Sequence, residues 1–511
     1  MPYIGLDLGS TNTSAAIFEN GRTRMIELTP GGAVTMPSVV CIANSKVVVG
    51  QEAVDAARLN PEHDFRNWKR HLAEKWHPME DQGPNTCEGK KLDEATGEMV
   101  PDGMVAYEGP NGATYSPVEI ASYVIAEAVH AANQYLGDDD PVTGVVIGVP
   151  ATFTPNQIAA VKEAARQAGL ENVFTLEEPV AAAIANGVDA KKARCVFVVD
   201  FGGGTLDTTI IRFGGGHIDI IAKNGNGDLG GADYDSRIAE CAINLFKAEV
   251  ALLRRQDGPS GEDTAAVKLR DAAMSRVHVE AEAVKKRLSD RDATTFRIDN
   301  IHRTPDGVSL HMISDFTRDM FGQLTQDLQA RVITALKATI EDAKRDDQRF
   351  SMTNDIHDIL LVGGMTRVPS VRQLVADFFG RPPNKGENAE QAVAQGLAIK
   401  AAIIEGRRRD ITLQDILSFD VAVESTNNVP STLIQRGTNF PLKKSFPICN
   451  ADDDQTEISV RLVYVTRMKA QDCHLLEARD VPIDPCPAGK RTLHLEVEID
   501  DEGHPSILSV A

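Results

Sequence analysis

Two segments of this chain repeat one another, and the repeat limits the folds open to it more than any other feature. Ile4-Gly-Leu-Asp-Leu-Gly-Ser-Thr-Asn12 is echoed by Val198-Val-Asp-Phe-Gly-Gly-Gly-Thr-Leu-Asp207. Each reads as a strand, a tight turn and a returning strand, with one aspartate, Asp7 or Asp200, just before the turn. Further on, each half holds an apolar strand that ends in a tight turn, Val145-Val-Ile-Gly-Val-Pro150 and Ile359-Leu-Leu-Val-Gly-Gly364. Residues 156–168 and 370–379 follow, with apolar side chains at the three- and four-residue spacing of helices. The pattern predicts two copies of one α/β unit, their sheets covered by helices.

Such a turn presents consecutive backbone N–H groups to an anion, and small residues let phosphate oxygens come close. Gly9, Ser10, Thr11 and Asn12 form the first turn; Gly202, Gly203, Gly204 and Thr205 form the second. One glycine turn alone reads most simply as a plain hairpin. Two of them, each with its own aspartate, read as a two-jawed phosphate clamp in which Asp7 and Asp200 hold a hydrated Mg2+ between them.

At 511 residues the chain is too long for a single core, so several domains are expected. Its formal charge of -21 argues against generic attraction to nucleic acid or to anionic lipid. The seven cysteines are scattered and include no CxxC pair, so they read as reduced thiols, with Cys473 and Cys486 the two that could pair in an oxidising compartment. The opening MPYIGLDLG runs straight into a strand without a charged and apolar leader, and no apolar run is long enough to span a bilayer. A cytoplasmic location is the expectation. Residues 76–112 are polar and rich in Gly, Pro and Asp, and read as a surface excursion without a motif. The three cations of Gly406-Arg-Arg-Arg-Asp410 suit the end of a helix. From residue 415 onward, short alternating segments such as Glu457-Ile-Ser-Val-Arg-Leu-Val-Tyr464 predict a separate β domain.

The glycine turns belong to a longer ordered series: IGLDLGSTNT (4–13), WKR (68–70), VPATF (149–153), EEPVAAA (177–183), DFGGGTLD (200–207), DLGGADYD (228–235) and LLVGGMTRVP (360–369). This series resembles the actin-like ATPase superfamily and, within it, the 70-kDa heat-shock (DnaK-type) chaperones. The resemblance implies an α/β fold with an actin-like ATPase of two duplicated lobes at 1–405. It further implies an interdomain linker at 406–420 and a small β-sandwich domain at 421–511 that binds polypeptide. The cofactors implied are ATP or ADP and Mg2+, with K+ as a further candidate.

Carried over position by position, the resemblance gives Lys69 the placing of the attacking water. Glu178 couples lobe closure to the metal and water site, Thr205 lies at the γ-phosphate, and Asp200 orients or deprotonates the water. Asp207 joins Asp7 and Asp200 around the metal, and Gly230 and Gly231 join the nucleotide side. Glu282, Lys285, Lys286 and Ser289 would grip the base and ribose. Gly363, Gly364 and Arg367 form the opposite wall, with Met365 where the family often has serine and Glu390 where it has aspartate. Pro150 is the switch proline. Asp415, Leu417 and Asp420 fall in the apolar linker that docks when ATP is bound, with Ser418 interrupting it; the same stretch also reads as the first strand of the β domain. Ile458 falls at the central pocket of the polypeptide groove.

The chain departs from the family pattern at several points. Ile158 replaces the arginine that relays the nucleotide state, Phe174 replaces an arginine that meets the J-domain, and the loop at 424–429 is short. The last residue, Ala511, comes where longer members continue into a helical lid, so a lidless member is expected. The function implied is an ATP-dependent chaperone of the stress-response and protein-folding class, acting as a monomer on unfolded or extended polypeptide. A J-domain co-chaperone and a nucleotide exchange factor are its candidate partners. The rival readings are a lidless regulatory adaptor for one client, an actin-like filament ATPase, and a small-molecule kinase on the same fold.

Overall fold

In the computed structural model, strand Tyr3–Leu8 lies between its hairpin partner Asn12–Glu19 and the parallel strand Gly144–Val149. The structure describes residues 2–43, 46–57, 64–77, 86–92, 99–109, 112–137, 141–186, 193–214, 217–246, 264–303, 307–346, 348–384, 391–408, 412–417, 419–424, 430–465, 473–500 and 503–510. The chain divides into two compact units, one of 1–188 with 196–209 and 224–408, the other of 189–195 with 210–223 and 409–511.

The first sheet has the order Asn172–Glu177, Gly144–Val149, Tyr3–Leu8, Asn12–Glu19, Arg22–Met25. A second sheet runs Asp358–Val362, Arg194–Phe201, Leu206–Gly214, His217–Asn226. In both, the strand that enters a glycine turn is flanked by the hairpin return on one side. On the other side it pairs in parallel with a strand from much later in the chain, Tyr3 beside Gly144 and Val196 beside Asp358. The sequence repeat is therefore a repeat of topology. All six residues of Gly144–Val149 are buried, the continuous apolar run of a parallel strand covered on both faces.

Helices Pro117–Leu136 and Pro155–Gln167 start at Ser116 and Thr154, whose hydroxyls accept from Glu119 N and Gln157 N. Their inner faces, among them Ile120, Val124, Val161 and Ala165, share one core with Ile4, Leu6, Val145 and Ile147. Helix Ala392–Ile404 packs directly on helix Glu178–Ala185, because a Cβ on Gly396 would stand 1.8 Å from the Ala181 carbonyl oxygen and glycine has none.

The stretch expected as a surface excursion is a small antiparallel sheet, with Thr86–Leu92 and Thr114–Tyr115 on either side of Met99–Glu108. Val105, Ala106 and Tyr107 are buried, and the Tyr107 ring lies 5.4 Å from that of Phe65. Pro101, Asp102 and Gly103 interrupt the strand itself and hide its alternation.

In the second unit, Pro430–Ile434, Asp420–Glu424, Glu457–Val465 and Cys473–Pro482 make a four-stranded sheet, and Leu442–Cys449, Thr492–Ile499 and Pro505–Val510 a three-stranded one. Alternate residues of Glu457–Val465 and Thr492–Ile499 point into a shared core that includes Val460, Leu462, Leu495 and Val497. Within this unit, Thr412–Ile416 is a strand, parallel to His217–Asp219 and antiparallel to Asn439–Phe440. Among the described side chains, Cys87, Cys241, Cys449 and Cys486 lie outside any disulfide.

Candidate active site

The two glycine turns meet over a cavity of about 340 Å³ in the first unit. They are in close contact: a Cβ on Gly203 would lie 2.0 Å from Thr11 Oγ1, and one on Gly204 2.5 Å from Ser10 Oγ. The second turn is held by its carbonyls. Gly202 O accepts from Gly231 N at 3.0 Å and Gly203 O from Ala232 N at 2.9 Å. Because a peptide is planar and trans, pinning these carbonyls directs the N–H groups of the following residues to the opposite side of the turn. That is the geometry of an anion cradle.

Lys69 enters from the short 3-10 turn Trp68–His71, which Asn67 introduces in the left-handed region at φ 55°. Asparagine tolerates that conformation well. The buried Trp68 indole donates to Ser38 O at 3.0 Å, and His71 Nδ1 lies 2.7 Å from the Tyr107 hydroxyl, so both ends of the turn are fixed. Lys69, 3% exposed, then reaches Glu178 Oε1 at 2.7 Å and lies 5.6 Å from the centre of the Phe153 ring. Pro150 ends strand Gly144–Val149 and begins the turn that carries Phe153.

Glu178 pairs with this ammonium, Asp7 and Asp200 lie close enough to feel its charge, and Asp207 stands near Glu178. Burial, reinforced by the charge of Glu178, pushes Asp7 and Asp207 up to about 7. Asp200 is raised as well, by burial first and then by Glu178, Asp207 and Asp7. Asp207 Oδ1 accepts from Thr152 N at 3.0 Å, while its Oδ2 is buried without a hydrogen-bond partner among the described residues. An excess of carboxylate over ammonium and an orphaned carboxylate oxygen both suit a cation. Among the described residues no three acidic, His or Cys side chains converge as direct metal ligands.

Glu282, Lys285, Lys286 and Ser289 share one face of helix Thr264–Asp290 and line one wall of the cavity. Lys286 pairs with Glu282 at 2.7 Å. Lys285 donates to Asp235 at 2.8 Å and to Gly231 O at 2.9 Å. Burial pushes Asp235 up to about 6 despite that partner. Gly363, Gly364, Met365 and Arg367 line the cavity too, as do Asp7, Lys69, Glu178, Asp200, Thr205 and Gly231. Asp207 stands behind this lining and Gly230 forms the N-cap of helix Gly231–Leu245, while Glu390 and Ser418 lie outside the described residues.

Elsewhere, Leu417 is 1% exposed and belongs to the core of the second unit. Asp420 accepts from Arg436 N at 2.6 Å, and Asp415 sits opposite Phe440 in its strand. Ile458 belongs to the same core and is paired with Val481. Ile158 packs against the core of the first sheet, and Phe174 stacks on Tyr3 with ring centres 5.9 Å apart.

Sequence reasoning passed over Arg70, Asp233 and Thr152. Arg70 touches Gly204 and Asp233, and Thr152 N holds Asp207. The available signal was their place inside the WKR, DLGGADYD and VPATF segments. A family model described as Hsp70 protein matches residues 3–511.

Proposed function

We propose, from the premise that this chain belongs to the Hsp70 family, that it hydrolyses ATP in the cavity between its two glycine turns and uses the cycle to bind and release extended polypeptide. The family has the actin-like ATPase fold, and its members are chaperone ATPases that use nucleotide and Mg2+ and bind unfolded polypeptides and co-chaperones. The observation that carries the reading is the buried Lys69–Glu178 pair, set beside Asp7 and Asp200 in a cavity lined by both turns.

In this reading the phosphates lie in the N–H cradle, with Thr205 at the γ-phosphate. Lys69 and Glu178 place a water, and Asp200, its carboxyl raised, takes up the proton of that water. Asp7, Asp200 and Asp207 would hold Mg2+ through its waters, where it would supply charge to offset that of the phosphates. The nucleoside lies between Glu282, Lys285, Lys286 and Ser289 on one side and Gly363, Gly364, Met365 and Arg367 on the other, with Glu390 assigned to the same pocket. We assign 1–405 to the ATPase domain, 406–420 to a linker acting through Asp415, Leu417 and Asp420, and 421–511 to polypeptide binding around Ile458. Pro150 connects the two activities, since its turn carries Phe153 beneath Lys69.

Steady-state ATP hydrolysis with and without a short apolar peptide, alongside peptide affinity in ATP and in ADP, tests the reading. Stimulated turnover and weaker peptide binding in ATP support it. Hydrolysis without any peptide effect removes the chaperone part and leaves an ATPase serving another partner.

A further inference from the structure

Arg70 does not line the main cavity, yet it reaches from the first half of the ATPase unit to residues of the second. Its Nε and Nη2 both donate to Gly204 O, at 3.0 and 2.6 Å. Nη2 and Nη1 also reach Asp233 Oδ2 and Oδ1, at 2.6 and 3.4 Å. Asp233 in turn accepts from Gly230 N at 2.6 Å at the start of helix Gly231–Leu245. Arg70 comes from the turn Trp68–His71 after the first repeat, whereas Gly204, Gly230 and Asp233 all belong to the second. A small cavity of about 70 Å³ lies behind the turns, lined by Arg70 together with Ser10, Lys69 and Thr205, which also line the main one.

We propose that Arg70 is a positioning residue for the γ-phosphate: it reaches across from the first half, fixes the Gly204–Thr205 peptide, and completes the phosphate cradle only when the two halves have closed. This deepens the ATPase reading and rests on it. The carbonyl of that peptide is held by two guanidinium N–H groups, so its N–H, on Thr205, is directed to the other side of the turn. Gly202 O and Gly203 O are held by backbone groups of the second half itself, and stay held whatever the first half does. Gly204 O alone of the three depends on a group from the opposite half. Asp233 keeps the guanidinium in place by charge while capping its own helix, so the bond to Gly204 O needs no further ordering of a long side chain. The planar fork matters: a lysine ammonium is a point charge and cannot reproduce the paired donation.

The test is single-turnover ATP hydrolysis by the full chain, with ATP and ADP affinities measured separately. ADP has no γ-phosphate, so a merely structural role for Arg70 affects both nucleotides alike. Arg70→Met is expected to slow single turnover about 100-fold and weaken ATP about 10-fold while leaving ADP within about 3-fold. Asp233→Asn, which keeps an acceptor for Gly230 N, is expected to show the same pattern to a smaller degree. Equal loss of ATP and ADP affinity, or an unchanged single-turnover rate, overturns the proposal. Should Arg70→Met lose cooperative melting, Arg70→Lys takes its place, and a normal rate in that variant overturns it equally. Failure of the unaltered chain to bind either nucleotide sinks the ATPase reading itself, and this proposal with it.

Discussion

The first glycine turn keeps Ser10, Thr11 and Asn12, side chains ending in hydroxyls or an amide, whereas the second has three consecutive glycines, Gly202 to Gly204. The two are copies in topology, but they face each other at a separation that admits only one set of side chains. The contacts a Cβ would make at Gly203 and Gly204 are with Thr11 and Ser10, so the side chains of the first turn occupy the space the second gives up. Their anchoring differs as well. Thr11 O accepts from Ser38 N within its own half, while the second turn adds Arg70 from the other half to its two internal partners. Duplication supplied two equal cradles, and bringing them face to face made one the bearer of side chains and the other a bare backbone.

The largest effect on this comparison comes from removing the cation between the two halves. Lys69→Ala is expected to lower ATP turnover about 1000-fold and, by leaving Glu178 buried without a partner, to lower stability by about 3 kcal/mol. Nucleotide binding stays measurable in a titration, and normal turnover in this variant would refute the assignment of the lysine.

Steric exclusion predicts a compensating pair. Gly203→Ala is expected to lower turnover about 100-fold by driving a methyl into Thr11, and adding Thr11→Ala to recover about 10-fold of it. Additive losses, measured as kcat in the two single variants and the double, would mean that the turns do not compete for the same space.

A third effect concerns charge. Asp7, before the first turn, and Asp207, after the second, both titrate near 7 when folded, against an ordinary value of 3.8. Between those values the folded chain binds more protons than the unfolded one, so its stability falls as pH rises from about 4 through about 7. Without nucleotide or metal the melting temperature is therefore expected to be higher at pH 6 than at pH 8. Asp7→Asn and Asp207→Asn should each flatten that slope, as should Mg2+ with ADP. A melting temperature that rises between pH 6 and 8 would contradict the burial that raises these carboxyls.

The smallest effect is expected from Ser10→Ala, which removes a hydroxyl packed against Gly204 and leaves the first turn's backbone intact: a fall in kcat of about 2- to 5-fold. A loss as large as that of Gly203→Ala would make the Ser10 hydroxyl part of the cradle rather than a filler.

Much of this site was legible in the sequence because its residues cluster in short segments where local geometry and chemistry coincide. A glycine turn after an aspartate-bearing strand says what it is within ten residues, and the period-two alternation of Glu457–Val465 and Thr492–Ile499 announced a β domain. The helices expected at 156–168 and 370–379 are found at Pro155–Gln167 and Pro369–Phe379, since caps and prolines mark their starts. The sheet built on Met99–Glu108 was missed because its apolar part is four residues long among turn formers.

The sequence by itself determined the duplication, the two glycine-containing turns and the acids beside them, since all of these are properties of contiguous stretches. Only the tertiary structure decided that Thr11 and Ser10 occupy the space above Gly203 and Gly204, that Glu178, Asp7 and Asp200 come together around one ammonium, and that Arg70 fastens a peptide 134 residues away. Such contacts join residues far apart in the chain. They depend on how two folded halves meet, and no local pattern of hydrophobicity or turn chemistry encodes that distance.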